Sequence, residues 1–267
     1  CMHETYEDCP FYEQLQYVMD TRAQILYTYA LAADDRLARK AIDDFSRAQR
    51  SNGLLNCSYP NMNPNVIPGF SIFYILMIHD HMMYFGDKVL VRRYLPTVDK
   101  ILNYFDRHRT DQGLVEKIGG VLHEARYWSF VDWAKEWNRT QGMPPAGLKG
   151  PLTMENLLYI YGLQKAAELS EYVGRLDTAE EYRARAAAVQ KAVRNFCMRD
   201  DGMIADGPES RDASQHGQVF GILTGTLNRD AGRRNLLLTL SEPGFPQCSV
   251  AMQFYLFRAL EETGLYS

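Results

Sequence analysis

Between Phe70 and Phe85 apolar side chains fall on every face of a helical wheel. A helix of that kind has no side to offer to water, so the rest of the chain must surround it. The residues that follow supply a cover. Lys88–Arg107 enters behind Asp87 and carries Leu95, Val98, Ile101, Leu102 and Phe105 at helical spacing, with charged residues between them. The same order recurs downstream, with an apolar helix expected over Pro151–Val173 and an Ala-, Arg- and Glu-rich one over Asp177–Cys197. Helical spacing also predicts helices over Pro10–Ala32, Asp35–Arg50, Ser214–Leu223, Arg229–Leu240 and Ser249–Thr263. Strand patterning is limited to Met203–Ala205. The fold class is therefore all-α. Paired helices separated by long loops at 51–69 and 113–150 predict an (α/α) barrel of helical hairpins, its inner ring more apolar than its outer one. No fixed-length repeat argues for a regular solenoid, and residues 1–267 are read as one domain.

Net charge is −4, which lacks the basic footprint of a nucleic-acid binder. No apolar run is long enough to span a membrane. The five cysteines (Cys1, Cys9, Cys57, Cys197 and Cys248) include no C-x-x-C pair, so they read as free thiols rather than zinc ligands. Asn56-Cys57-Ser58 and Asn138-Arg139-Thr140 match the glycosylation pattern. No P-loop, nucleophile elbow or dinucleotide fingerprint occurs, and no cofactor or metal is expected. His79-Asp80-His81 invites a metal reading, but neighbouring residues on a helix do not face one another. Histidines held by hydrogen bonds fit better. Aromatic residues make up 12% of the chain, which suits carbohydrate stacking and a helical core alike.

The chemistry-bearing stretch is Asp8-Cys9-Pro10-Phe11-Tyr12-Glu13-Gln14-Leu15-Gln16-Tyr17-Val18-Met19-Asp20. Pro10 suits a first helical turn. On a helix starting there, Glu13 and Asp20 would return to nearly one face, with Gln16 and Tyr17 between them and Asp8 approaching from the preceding loop. Acids, amides and an aromatic at one helix mouth can hold a polyol. The plainer alternative makes Asp8 an N-cap and Asp20 a solvated side chain. A second concentration is the irregular segment holding Trp128, Trp133 and Trp137. Its indoles could wall a sugar pocket beside Asp132, or simply anchor a loop.

Asp8-Cys9-Pro-x-x-Glu13-x-Leu15-x-Tyr17-x-x-Asp20 resembles the signature of family 78 glycoside hydrolases, the inverting α-L-rhamnosidases. There the segment usually reads Asp-Cys-Pro-Gln-Arg-Glu followed by Leu-Gly-Trp-Thr-Gly-Asp. The acid spacing is kept. Phe11-Tyr12 replaces Gln-Arg, Gln16 replaces Gly, Tyr17 replaces Trp, and Met19 replaces the second Gly. Further resemblance lies in Ile78-His79-Asp80, Trp128–Trp133, Ser214-Gln215-His216 and Phe254–Leu260. It implies an (α/α)6 toroid, incomplete here because about nine helices are read against the toroid's twelve. It implies Glu13 as general acid in hydrolysis of terminal α-L-rhamnosides, with Asp8, Asp20, Tyr17, Trp128, Asp132, Trp133, Tyr74 and His216 as substrate contacts. Tyr74 falls where the family often shows Trp. The family's base follows the last helix read here, so the resemblance implies a C-terminally truncated chain, a base beyond Ser267 and β-sandwich domains in the parent protein. Rival readings are another enzyme on the same toroid, such as an unsaturated glucuronyl hydrolase or polysaccharide lyase, and a non-catalytic sugar-binding helical module. A helical scaffold is a further rival, and it would leave the acidic cluster and the Trp segment without a shared purpose.

Overall fold

The computed structural model describes residues 2–266, so Cys1 and Ser267 lie outside the described residues. Nine α-helices run in order: α1 (Val18–Ala32), α2 (Arg36–Arg47), α3 (Pro68–Phe85), α4 (Lys88–Arg107), α5 (Thr153–Tyr172), α6 (Leu176–Phe196), α7 (Gln215–Leu223), α8 (Arg229–Ser241) and α9 (Gln253–Thr263). Short 3₁₀ turns occupy Lys135–Thr140 and Pro145–Leu148. The described residues contain only isolated β-bridges, among them Met198 with Ile204, where the short strand was expected. The chain divides into two compact units, Cys1–Arg107 with Gly162–Arg183, and His108–Tyr161 with Ala184–Ser267.

In the first unit α3 is the core element, buried through its first turns on every face, as its composition requires. Pro68 opens it at a position where a missing N–H costs nothing. Gly86 closes it in the left-handed region at φ 62°, donating its N–H to the Met82 carbonyl. Helices α1 and α4 both pack on α3. The start of α4 is set by Asp87, whose Oδ1 accepts the N–H groups of Val89 and Leu90, each at 2.9 Å. Asp99 on α4 then receives the Tyr182 hydroxyl at 2.5 Å and the Arg175 guanidinium at 3.0 Å, docking the start of α6. On α2 the outer face carries i,i+4 pairs Asp35–Arg39, Lys40–Asp44 and Asp43–Arg47, each worth only about 0.3–0.5 kcal/mol.

In the second unit α7 has the central place and packs against both α8 and α9. Its first eight residues are buried. Ser214 caps it by accepting the Gly217 N–H, and Asn228 caps α8 by accepting that of Ala231.

Two helix starts differ from the sequence reading. The first helix begins at Val18 rather than Pro10 because the backbone ahead of it closes on itself. The Asp8 N–H donates to the Leu15 carbonyl at 2.9 Å, the Leu15 N–H donates to the Asp8 carboxylate at 2.9 Å, and Gln14 sits at φ 52°. Glu13 therefore lies on a loop and shares no helical face with Asp20. The last helix begins at Gln253 rather than Ser249, because Ser249 is held by the Asp132 carboxylate.

Candidate functional site

The acidic segment of the first unit is a closed loop running into the N-terminus of α1. Its return strand is fastened to the 51–69 loop: Val18 donates to the Cys57 carbonyl at 2.9 Å, and Tyr59 donates to that of Gln16 at 3.1 Å. The buried Gln16 side chain adds a bond from Nε2 to the Tyr59 carbonyl at 2.9 Å, and its Oε1 accepts the Tyr6 N–H. The long Pro- and Asn-rich connection thus serves as the bracket for this loop. Glu13 is exposed, with its N–H directed to the Cys9 sulfur at 3.2 Å. Tyr17 stands at the N-cap of α1 with its ring edge-on to Phe70. Burial, then the neighbouring Glu13 carboxylate, pushes the Tyr17 pKa far up. Asp20 follows in the first turn, and burial together with the charges of Asp8 and Glu13 raises its pKa to about 6. Asp8, Glu13, Tyr17 and Asp20 are thus gathered at one loop–helix junction. The loop, rather than helical periodicity, brings them together.

The rest of this unit holds its polar groups in structural pairs. Tyr74 is fully buried on α3, and its hydroxyl donates to the Ile42 carbonyl at 3.2 Å. The His79-Asp80-His81 triplet separates in three directions: His79 to Glu168 at 2.5 Å, Asp80 to Arg22 at 2.8 Å, and His81 to the Tyr29 hydroxyl at 2.8 Å. Both histidines are hydrogen-bonded core residues. Among the described residues no group of three His, Cys, Asp or Glu side chains could hold a metal.

In the second unit the Trp segment is built around Asp132. This buried carboxylate accepts four bonds: from His216 Nε2 at 2.7 Å, the Ser249 N–H at 2.8 Å, the Ser249 hydroxyl at 2.5 Å, and the Trp133 N–H at 2.8 Å. Burial would raise its pKa, but these donors outweigh it and hold it low. Burial disfavours charge on His216 as well, yet the Cys248 sulfur and the Asp132 carboxylate prevail and raise its pKa. His216 is fully enclosed and lies over the Trp137 ring at 4.7 Å. Trp128 is 9% exposed and donates from its indole to the Gln141 carbonyl at 2.9 Å. Trp133 is 59% exposed and leans on Phe130 and Trp128, at centroid distances of 5.1 and 5.9 Å. The segment folds tightly because Gly142, at φ 81°, lies flat against Phe130; a Cβ there would come within 2.5 Å of the ring.

Two buried carboxylates escaped the sequence reading. Glu155, in the first turn of α5, is 4% exposed, and burial raises its pKa to about 7. Asp206 accepts the Ser214 hydroxyl at 2.6 Å, and burial raises it to about 6. It borders a cavity of about 290 Å³ with Trp137, Arg199, Arg211 and Phe245. Neither carboxylate has a sequence neighbour that marks it as chemical. Their burial arises from packing alone.

Residues 1–245 match the family model described as the bacterial alpha-L-rhamnosidase 6 hairpin glycosidase domain. Among solved structures, the GH78 family rhamnosidase of Bacillus sp. GL1 superposes with a TM-score of 0.83 at 24% identity, covering 99% of this chain and 27% of that one. A rhamnosidase from Klebsiella oxytoca with rhamnose bound gives 0.83 at 20% identity, covering 99% of this chain and 49% of that one. The Streptomyces avermitilis alpha-L-rhamnosidase complexed with L-rhamnose gives 0.71 at 17% identity, covering 98% and 23%. At these identities the likeness is one of fold, and the chain spans less than half the length of each. No curated protein matches the sequence.

Proposed function

Because the chain belongs to the bacterial α-L-rhamnosidase six-hairpin glycosidase domain family, we propose that it is a glycoside hydrolase domain acting on terminal α-L-rhamnosides with inversion, and that Glu13 is its general acid. The observation that carries this is the gathering of Glu13, Asp8, Asp20 and Tyr17 at the closed loop before α1. Inversion needs one carboxylic acid at the leaving oxygen and a second carboxylate about 6.5–9.5 Å from it, with water between. A sugar seated over Glu13 takes its solvent away and leaves it beside Asp8, Asp20 and Tyr17. Asp8 and Asp20 accept sugar hydroxyls, Asp8 with the oxygen that does not serve Leu15.

In the other unit Trp133 is the exposed aromatic suited to a carbohydrate's apolar face, and Trp128 backs it. Asp132 and His216 act as positioning residues, the first through its bond from the Trp133 N–H and the second through its bond to Asp132. Tyr74 stiffens α3 against α2.

The test is hydrolysis of p-nitrophenyl α-L-rhamnopyranoside and of a natural rhamnoside by the full-length protein and its Glu13→Gln variant. Loss of about a hundredfold or more on the natural glycoside is expected, the size of a general-acid contribution. A folded protein that turns over no rhamnoside would move the weight to a sugar-binding role or another glycan.

A further inference from the structure

Phe11 and Tyr12 stand on the loop that carries Glu13, and the reaction described above assigns them no task. They are 77% and 87% exposed. They are nevertheless ordered against each other, edge to face at a centroid distance of 5.2 Å and an interplanar angle of 87°. The loop beneath them is closed at its base by the paired Asp8 and Leu15. Within it, Gln14 Nε2 donates to the Pro10 carbonyl at 2.8 Å, and the Glu13 N–H reaches the Cys9 sulfur. Two adjacent large aromatics held against water on such a loop do nothing for the core. Exposed apolar surface of this kind marks a contact site.

We infer that Phe11 and Tyr12 form the platform for the leaving group, taking a ring-bearing one, either a second sugar or a flat aromatic aglycone. The inference rests on the reading of Glu13 as general acid. An acid that protonates the glycosidic oxygen sits within hydrogen-bond reach of it. The first ring on the leaving side is bonded to that same oxygen, so it is held close to the loop on which Glu13 is carried. Phe11 and Tyr12 immediately precede Glu13 on that loop. The C–H face of a pyranose and the face of an aryl ring both pack on aromatic side chains, while their polar rims stay in water. A methyl leaving group offers nothing to stack.

The experiment compares the full-length protein with its Phe11→Ala/Tyr12→Ala and Phe11→Trp/Tyr12→Trp variants. Substrates are p-nitrophenyl α-L-rhamnopyranoside, a rhamnosyl-glucose disaccharide and methyl α-L-rhamnopyranoside, with thermal midpoints measured alongside. In the alanine variant the ratio of kcat/KM on ring-bearing to methyl glycosides should fall about three- to tenfold, mainly through KM, the scale of one aromatic stacking contact. The tryptophan variant should retain it. A fall confined to the aryl glycoside assigns the platform to aromatic aglycones, and one confined to the disaccharide assigns it to sugars. A ratio that does not move, including an equal loss on all three substrates, overturns the inference alone. An unaltered protein that hydrolyses no rhamnoside overturns the acid assignment and the platform together.

Discussion

Glu155 offers a test of the packing that supports the Trp segment. Its carboxyl is almost wholly enclosed in the second unit, where burial raises its pKa from the ordinary 4.5 to about 7. In the unfolded chain it ionises near 4.5, so between pH 4.5 and 7 the folded state holds a proton that the unfolded state releases. Stability therefore falls as pH rises through this window and is level above it. A shift of this size corresponds to about 3 kcal/mol. Glu155→Gln keeps the shape and removes the titration. The two proteins should unfold alike near pH 4.5, and by pH 8 the variant should be the more stable by about 3 kcal/mol, or roughly 6–12 °C in thermal midpoint. Urea and thermal unfolding at half-unit steps from pH 4.5 to 8.5 would measure the gap. Parallel curves for wild type and Glu155→Gln, or a variant less stable at pH 8, would refute the claim that a neutral carboxyl is packed there.

Further predictions concern Asp132 and Asp20. Asp132→Ala leaves His216 and three other donors without their acceptor and should cost about 3–5 kcal/mol, the usual result of breaking a buried pair from one side. An Asp132→Asn/His216→Gln double variant should lose less than the sum of its single changes, as read by denaturant melts, and strict additivity would sink the coupling. Asp20, with its pKa raised to about 6 by burial and by Asp8 and Glu13, accepts sugar hydroxyls with both oxygens only when ionised. The rate should climb with pH through about 6, and Asp20→Asn should lower kcat/KM and abolish that limb. The same raised value means that ionising Asp20 costs the fold stability as pH rises from about 4 to 6, so the Asn variant should be relatively stabilised above that window.

The helical layout was legible in the sequence because it rests on local rules. An all-apolar run must be buried, and α3 is. Asp87 before α4, Ser214 before α7 and Gly86 after α3 act at the positions where caps and stops act in any helix. The spacing of Asp8, Glu13 and Asp20 was legible too, as was the concentration of tryptophans.

The conformation that gives the acidic spacing its meaning was not legible. Pro10 and the following residues carry a helical pattern, but side-chain capture of Leu15 by Asp8 and the left-handed turn at Gln14 override local propensity, and the bonds that fasten this loop come from the 51–69 region. Asp132 and Ser249 lie far apart in the chain, and only folding makes one the acceptor for the other, moving the start of α9 as it does so. The raised pKa values of Asp20, Glu155 and Asp206 have the same origin, since desolvation depends on what surrounds a carboxyl rather than on what precedes it. Sequence alone determined which segments are helical and which residue types are available for chemistry. Tertiary structure decided which carboxylates stay wet, which are buried, and which side chains they meet, because burial and long-range hydrogen bonds exist only once the chain has closed on itself.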